Sequence, residues 1–189
     1  MSNVTSTPQA IWASPPVRDY EADFQRTDQL FGAPSADILK IFQREPAGLR
    51  VLDIGCGQGR DALALAQLGH PVHGVDLAPT GIAQMLAQAE KLGLAELVTG
   101  QVADIRALAC HDRYDAILFD RTLHMLGAEE RLETFSRLVK ERGQTRLIVI
   151  ADERRNIAQL AQALVELDPR FDLTPVKPSL LVARRNCVS

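Results

Sequence analysis

Cysteine is scarce in this chain. Cys56, Cys110 and Cys187 are three in number. Their spacing fits neither a disulfide framework nor a metal site, so no metal ligand set is expected and the default compartment is the reducing cytoplasm. An excess of charge of one sign is also missing. The net charge is −3 over 189 residues, and Arg154-Arg155 and Arg184-Arg185 are basic pairs rather than tracts. No global field therefore draws the chain to nucleic acid or to an anionic membrane. No apolar run approaches the roughly 18 residues of a membrane-crossing helix. The first sixteen residues lack the basic start and apolar core of a secretory signal. These absences leave an ordinary globule with 46% hydrophobic and 24% charged residues, about one domain long. Monomer and homodimer fit it equally.

The chain divides into three parts. Residues 1–16 are polar and rich in Ser, Thr and Pro, and read as a flexible tail around a lone Trp12. Residues 17–47 carry helical patterning, with a short helix opening at Pro34-Ser35, and form an extension or lid. Residues 48–189 form the main domain. There strands near 51–54, 72–76, 97–101, 114–119 and 145–151 alternate with helices near 60–68, 80–92, 129–142 and 155–167. Such alternation predicts an α/β fold, a mostly parallel sheet with helices on both faces. Ile157, Leu160, Ala161, Leu164 and Val165 make one helical stripe, with Asn156 as its expected cap. Phe171–Val176 and Leu180–Ala183 are separated by three residues, which only an antiparallel hairpin can span.

The stretch Val51-Leu52-Asp53-Ile54-Gly55-Cys56-Gly57-Gln58-Gly59-Arg60-Asp61 is the most informative feature. It reads strand, glycine turn, helix. Glycines at alternate positions allow a tight turn and a close ligand approach, and the next helix points free N–H groups at the same spot. A dinucleotide fingerprint needs a third small residue at position 60, where Arg60 stands.

The pattern D-x-G-x-G-x-G instead resembles motif I of the class I S-adenosylmethionine (SAM) dependent methyltransferases. Gly74-Val75-Asp76-Leu77, Val102-Ala103-Asp104-Ile105 and Tyr114-Asp115-Ala116-Ile117-Leu118-Phe119-Asp120 follow in that family's order. The resemblance implies a Rossmann-like, seven-stranded sheet of order 3-2-1-4-5-7-6 that ends in the antiparallel hairpin. It implies SAM as cofactor and S-adenosylhomocysteine (SAH) as product. Gly55, Cys56, Gly57 and Gly59 would cradle the cofactor, and Asp53 would face its ammonium. Asp76, with Leu77, would take the ribose hydroxyls. Ala103, Asp104 and Ile105 would meet the adenine. For Asp76 a helix cap is the alternative, and for Asp104 a capping or loop role.

Asp120-Arg121-Thr122-Leu123-His124 follows the fourth strand, at the expected reaction edge. Asp120, Arg121 and His124 are the candidate catalytic residues. If the turn is helical, Arg121 and His124 share a face and would suit an anionic or proton-bearing acceptor; a local ion pair and a cap are the alternative. The stretch is neither the Asp/Asn-Pro-Pro-Tyr/Phe motif of nucleic-acid and glutamine amino methyltransferases nor a Pro-Cys nucleophile, and Cys110 lies elsewhere. A small-molecule acceptor is expected, with no nucleic acid or membrane partner. GCGQGRDALALAQLGHPVHGVDLAPTGI, DRTLHML and LFGAPS further resemble the TehB-like tellurite-resistance methyltransferases. That implies a soft or anionic acceptor of tellurite, selenite or thiol type. The rivals are a non-catalytic SAM-binding module, a nicotinamide-dependent oxidoreductase and an aminopropyl transferase using decarboxylated SAM.

Overall fold

The structure, a computed structural model, describes residues 18–108, 114–141 and 144–186. The expected tail with Trp12, Cys110 and Cys187 lie outside them. The elements alternate from β1 (Val51–Ile54) through α3 (Arg60–Gln67), β2 (Val72–Asp76), α4 (Pro79–Lys91) and β3 (Val98–Val102). After β4 (Ala116–Asp120) come a 3₁₀ turn (Leu123–Met125), α5 (Ala128–Lys140), β5 (Leu147–Ala151), α6 (Arg154–Leu167), β6 (Phe171–Lys177) and β7 (Leu180–Arg185). The sheet order is β3-β2-β1-β4-β5-β7-β6. β1, β2, β3, β4 and β5 are parallel, while β7 is antiparallel to both β5 and β6. The seven-stranded sheet and its closing hairpin are therefore as the sequence predicts.

The central strands are buried on both sides, which is why β5 and the Ala116–Phe119 part of β4 read as unbroken apolar runs rather than alternating ones; β1 departs only at the buried Asp53. One face packs Val51, Leu65, Met85, Leu118 and Val149 under α3, α4 and the helix Ala36–Phe42. The other packs Leu52, Ile54, Phe119, Phe135 and Leu160 under α5 and α6. No helix among the described residues is long and apolar enough to cross a membrane.

The extension is two short helices, α1 (Tyr20–Phe24) and α2 (Ala36–Phe42), joined by a loop. Ser35 caps α2, accepting from Ile38 N. The Gln58 side chain holds the loop, accepting from Leu30 N at 2.9 Å and donating to the Thr27 carbonyl at 2.5 Å. Glu21 accepts from Thr80 N at 3.0 Å and so fastens α1 to α4. Phe24 is 1% exposed, and its ring packs where a Cβ on Gly57 or Gly81 would sit, at 3.1 and 3.0 Å. This segment therefore lies over the carboxyl ends of the strands.

Asn156 is not the cap of its helix. α6 starts two residues earlier, after Glu153, and Asn156 is buried in the first turn. Its Nδ2 donates to Asp152 Oδ1 at 2.6 Å. A carboxylate at the end of β5 already supplied an acceptor before the helix began, so the Asn amide reaches back to it.

Candidate active site at the carboxyl edge of the sheet

β1 ends at Ile54 and the chain turns at once. Gly55 N and Cys56 N donate to the Val75 carbonyl at 2.7 and 3.1 Å, which ties the turn to β2. Gly55 has φ +74°, and a Cβ there would stand 2.1 Å from Thr122 Oγ1. Gly57 (φ +53°) continues the left-handed path, and its N–H donates to Asp76 Oδ2 at 2.8 Å. Gly59 has another task. It is the N-cap of α3 at φ +79°, and a Cβ there would meet Met85 Cγ at 2.2 Å.

Asp76 makes the capping contact that is the alternative to its ribose role, and a second contact to the glycine loop. One carboxylate oxygen accepts from Gly57 N and the other from Ala78 N at 2.9 Å, so it fixes the glycine loop and the entry to α4 together. Each oxygen keeps a lone pair for a further donor, and the side chain lines the cavity below.

Around the turn lies a cavity of about 370 Å³. Asp53, Gly55, Cys56, Gly57, Asp76, Asp120, Arg121 and His124, all sequence candidates, line it. Gly59, Leu77, Ala103, Asp104 and Ile105 are not among its lining residues. Leu77 is 66% exposed. Asp104 is held by Arg106, whose Nε and backbone N both donate at 2.9 Å. That ion pair keeps the Asp104 carboxyl below its usual range and realises the local-loop alternative. Ala103 N donates to the Asp76 carbonyl at 2.9 Å, so the turn stays beside the site.

The structure adds residues that the motifs do not mark. Arg60 Nη2 donates to Asp61 Oδ2 at 2.5 Å and also to Asp120 Oδ2. Asp61 in turn accepts from Ser35 N of the extension at 3.2 Å. In the sequence Arg60 served only as a mismatch to the dinucleotide pattern; a charged pair in the first turn after a ligand-binding loop is the signal that could have found it. Tyr20, Phe24 and Phe31 form an aromatic cluster over the opening. Thr122 Oγ1 donates to the Ile54 carbonyl at 2.8 Å and joins the two strand ends.

Asp61 and Asp120 thus share one guanidinium, with the buried Asp53 carboxyl close by. Burial, with Asp61 and Asp120 close by, pushes the Asp53 carboxyl well above the ordinary range. Burial and Asp61 raise Asp120 to about 6, against the pull of Arg60. Burial also pushes the Cys56 thiol up, which makes it a packing residue rather than a nucleophile.

The expected helical face joining Arg121 and His124 is not formed. The 3₁₀ turn spans only Leu123–Met125, and Arg121 precedes it at φ +51°, a conformation that a non-glycine residue adopts at a cost. The bend turns Arg121 outward, 69% exposed, with Nε 3.7 Å from Asp120 Oδ1. His124 Nδ1 is buried without a partner. Both still line the cavity, and with Asp120 they also line a second one of about 350 Å³ that runs toward Asp152, Lys177 and Ser179.

Known proteins share the sequence family and the fold. A family model described as a methyltransferase domain matches residues 45–174, more than half of the chain. The chain is 39% identical over 101 residues to the 2-heptyl-1-hydroxyquinolin-4(1H)-one methyltransferase of Mycobacteroides abscessus, covering 53% of this chain and 44% of that protein. It is 34% identical over 119 residues to a ubiquinone biosynthesis O-methyltransferase of Cereibacter sphaeroides, covering 62% and 47%. The chain thus spans somewhat under half the length of these curated relatives. A TehB-like SAM-dependent methyltransferase from Corynebacterium glutamicum superposes with a TM-score of 0.61 at 17% identity, over 88% of this chain and 96% of that one, and shares the fold. The chain therefore belongs to the methyltransferase-domain family, as a class I member of the SAM-dependent kind.

Proposed function

We propose that this chain transfers a methyl group from SAM to a hydroxyl of a small acceptor. The carrying observation is that Asp120, at the end of β4, is in the wall of both the glycine-loop cavity and the cavity beyond it. A group so placed can face a cofactor on one side and an acceptor on the other. The names of the two relatives, which concern a hydroxyquinolinone and an O-methyl transfer, support a hydroxyl acceptor. The likeness to the TehB-like structure concerns the fold and does not add to the soft-acceptor expectation.

The residues present fit SAM. Gly55, where a Cβ would collide with Thr122, lets the turn's backbone border the cavity, and the carboxylates of Asp53 and Asp76 are on its wall. Asp53 would meet the ammonium, and Asp76 the ribose hydroxyls with its remaining lone pairs. Exposed Leu77 and the Ala103–Ile105 turn would flank the adenine, with Asp104 serving it only by turning from Arg106. When bound, SAM supplies a methyl group on a sulfonium, open to in-line attack. The chain contributes alignment and exclusion of water, aided by the aromatic cluster of the extension. Asp120, raised to about 6, takes the proton of the acceptor hydroxyl near neutral pH better than an ordinary carboxylate would. His124 borders both spaces and would position the acceptor or accept the proton.

The test is a panel of small phenols, N-hydroxy heterocycles, thiols, selenite and tellurite, read as SAH release. SAM and SAH should raise the melting temperature while NAD should not, and the hydroxyl compounds should turn over. Turnover of the thiols or oxyanions alone would restore the soft-acceptor reading. SAM binding without turnover would favour a binding module.

Asp53 gives a binding prediction. Its carboxyl is raised in the free protein, and a bound ammonium favours the charged form. Binding should therefore release a proton, and SAM affinity should rise with pH. Calorimetry in two buffers of different ionisation enthalpy measures this directly. Asp53→Asn should abolish the proton release, and an unchanged release in that variant would remove Asp53 from the ammonium site.

A further inference from the structure

Beyond His124, on the side away from the glycine loop, lies a third cavity of about 390 Å³ between the start of α5 and α6. Its wall includes His124, Leu126, Arg131, Arg155 and Asn156 and, among the described residues, no acid. Arg131 is 7% exposed. Its Nη1 donates to the Leu126 carbonyl at 3.2 Å, but its Nε is buried without a partner, and among the described residues no carboxylate pairs with it. A guanidinium cannot shed its charge, and burying it without a counter-charge is costly. His124 Nδ1, also buried without a partner, lines the same space. Arg155 is 81% exposed and bound to Glu153 at 2.6 Å, so it stands at the mouth. α5 begins here at Ala128 behind Gly127, with no side-chain cap, and Glu129 and Glu130 in its first turn offset its positive end, so the cationic character of the cavity comes from the arginines.

Resting on the acceptor site proposed above, we infer that this cavity is an anion subsite for the acceptor. It takes a carboxylate remote from the methylated oxygen, with Arg131 as the principal ligand and His124 as a second donor. Arg131 has a buried charge and an open donor, and a carboxylate supplies the missing counter-charge and acceptor in one group. Because His124 borders all three cavities, an acceptor anchored on Arg131 reaches past it toward Asp120. The substrate class is accordingly a small hydroxylated carboxylic acid.

The probe is benzoate, titrated into the SAH-saturated protein by calorimetry, with benzamide as its uncharged isostere. Benzoate should bind at least about tenfold more tightly than benzamide, the advantage of one charged hydrogen bond. Arg131→Met should lose that advantage with SAH affinity unchanged, and Arg131→Lys should keep part of it, having charge without the planar fork. Equal binding of benzoate and benzamide to the native protein would overturn the subsite, even if both variants failed to fold. Because the measurement needs no turnover, Arg131-dependent benzoate binding alongside a silent acceptor panel would sink the methyl-transfer reading and leave the subsite standing. In the panel itself, 3,4-dihydroxybenzoate should exceed catechol in kcat/KM in the native protein but not in Arg131→Met.

Discussion

Gly55→Ala is expected to abolish SAM binding and to lower the melting temperature. The new methyl would stand 2.1 Å from Thr122 Oγ1 and 2.4 Å from Thr122 Cγ2. Thr122 has little room to yield, because it is β-branched and its hydroxyl bonds the Ile54 carbonyl. The backbone at φ +74° adds its own cost for any L side chain. A left-handed alanine costs about 1–2 kcal/mol, and a displaced Thr122 loses roughly another 1 kcal/mol of hydrogen bonding. For a chain of this size that is a fall of about 4–12 °C. Calorimetric unfolding and SAM titration measure the two effects separately. The double variant with Thr122→Gly should recover the steric part and leave the backbone part. Wild-type SAM affinity in Gly55→Ala would mean that the cofactor does not lie against this turn.

Asp120→Asn should lower turnover by about 10²–10⁴-fold, the usual worth of a general base, while SAM affinity changes little. In the native enzyme kcat/KM for a hydroxyl acceptor should rise as pH passes about 6 and then level off, since the base works deprotonated. The variant should lose that rise. Its stability should move the other way. The Asp120 carboxyl is raised in the folded state from an ordinary 3.8 to about 6, so the fold prefers it protonated. The stability tied to that proton is present in full below about pH 4 and lost as pH rises through about 6. At neutral pH the buried charge is a burden that asparagine removes, worth on the order of 1–3 kcal/mol. The melting-temperature difference between variant and native protein should therefore grow from pH 4 to pH 7. A variant with native kinetics would return Asp120 to a structural role beside Arg60.

Much of this molecule is legible in its residues taken in order. Unbroken apolar runs such as Leu147–Ala151 declare strands buried on both faces, and three residues between Phe171–Val176 and Leu180–Ala183 force a hairpin. The alternate glycines with Asp53 and Asp76 mark the cavity at the carboxyl edge of the sheet, because backbone geometry and local spacing decide them and both are local properties of the chain. Tertiary structure decided what depends on burial and on partners that the local pattern does not single out. Arg60 and Asp120 are far apart in sequence and share one ion pair; no local pattern tells that burial beside Asp61 will lift the Asp120 carboxyl to about 6. Asp104 has an acid's sequence signature, yet its place is set by Arg106. Asn156 looked like a cap until Asp152, at the end of a neighbouring strand, took its amide. Arg131 reads on a helix as a solvated charge, and only the packing of α5 against its surroundings shows that it is buried with its Nε unpaired. Periodicity reports which face of an element is apolar; burial, which sets the energy of every charge in this site, is known only once the elements are assembled.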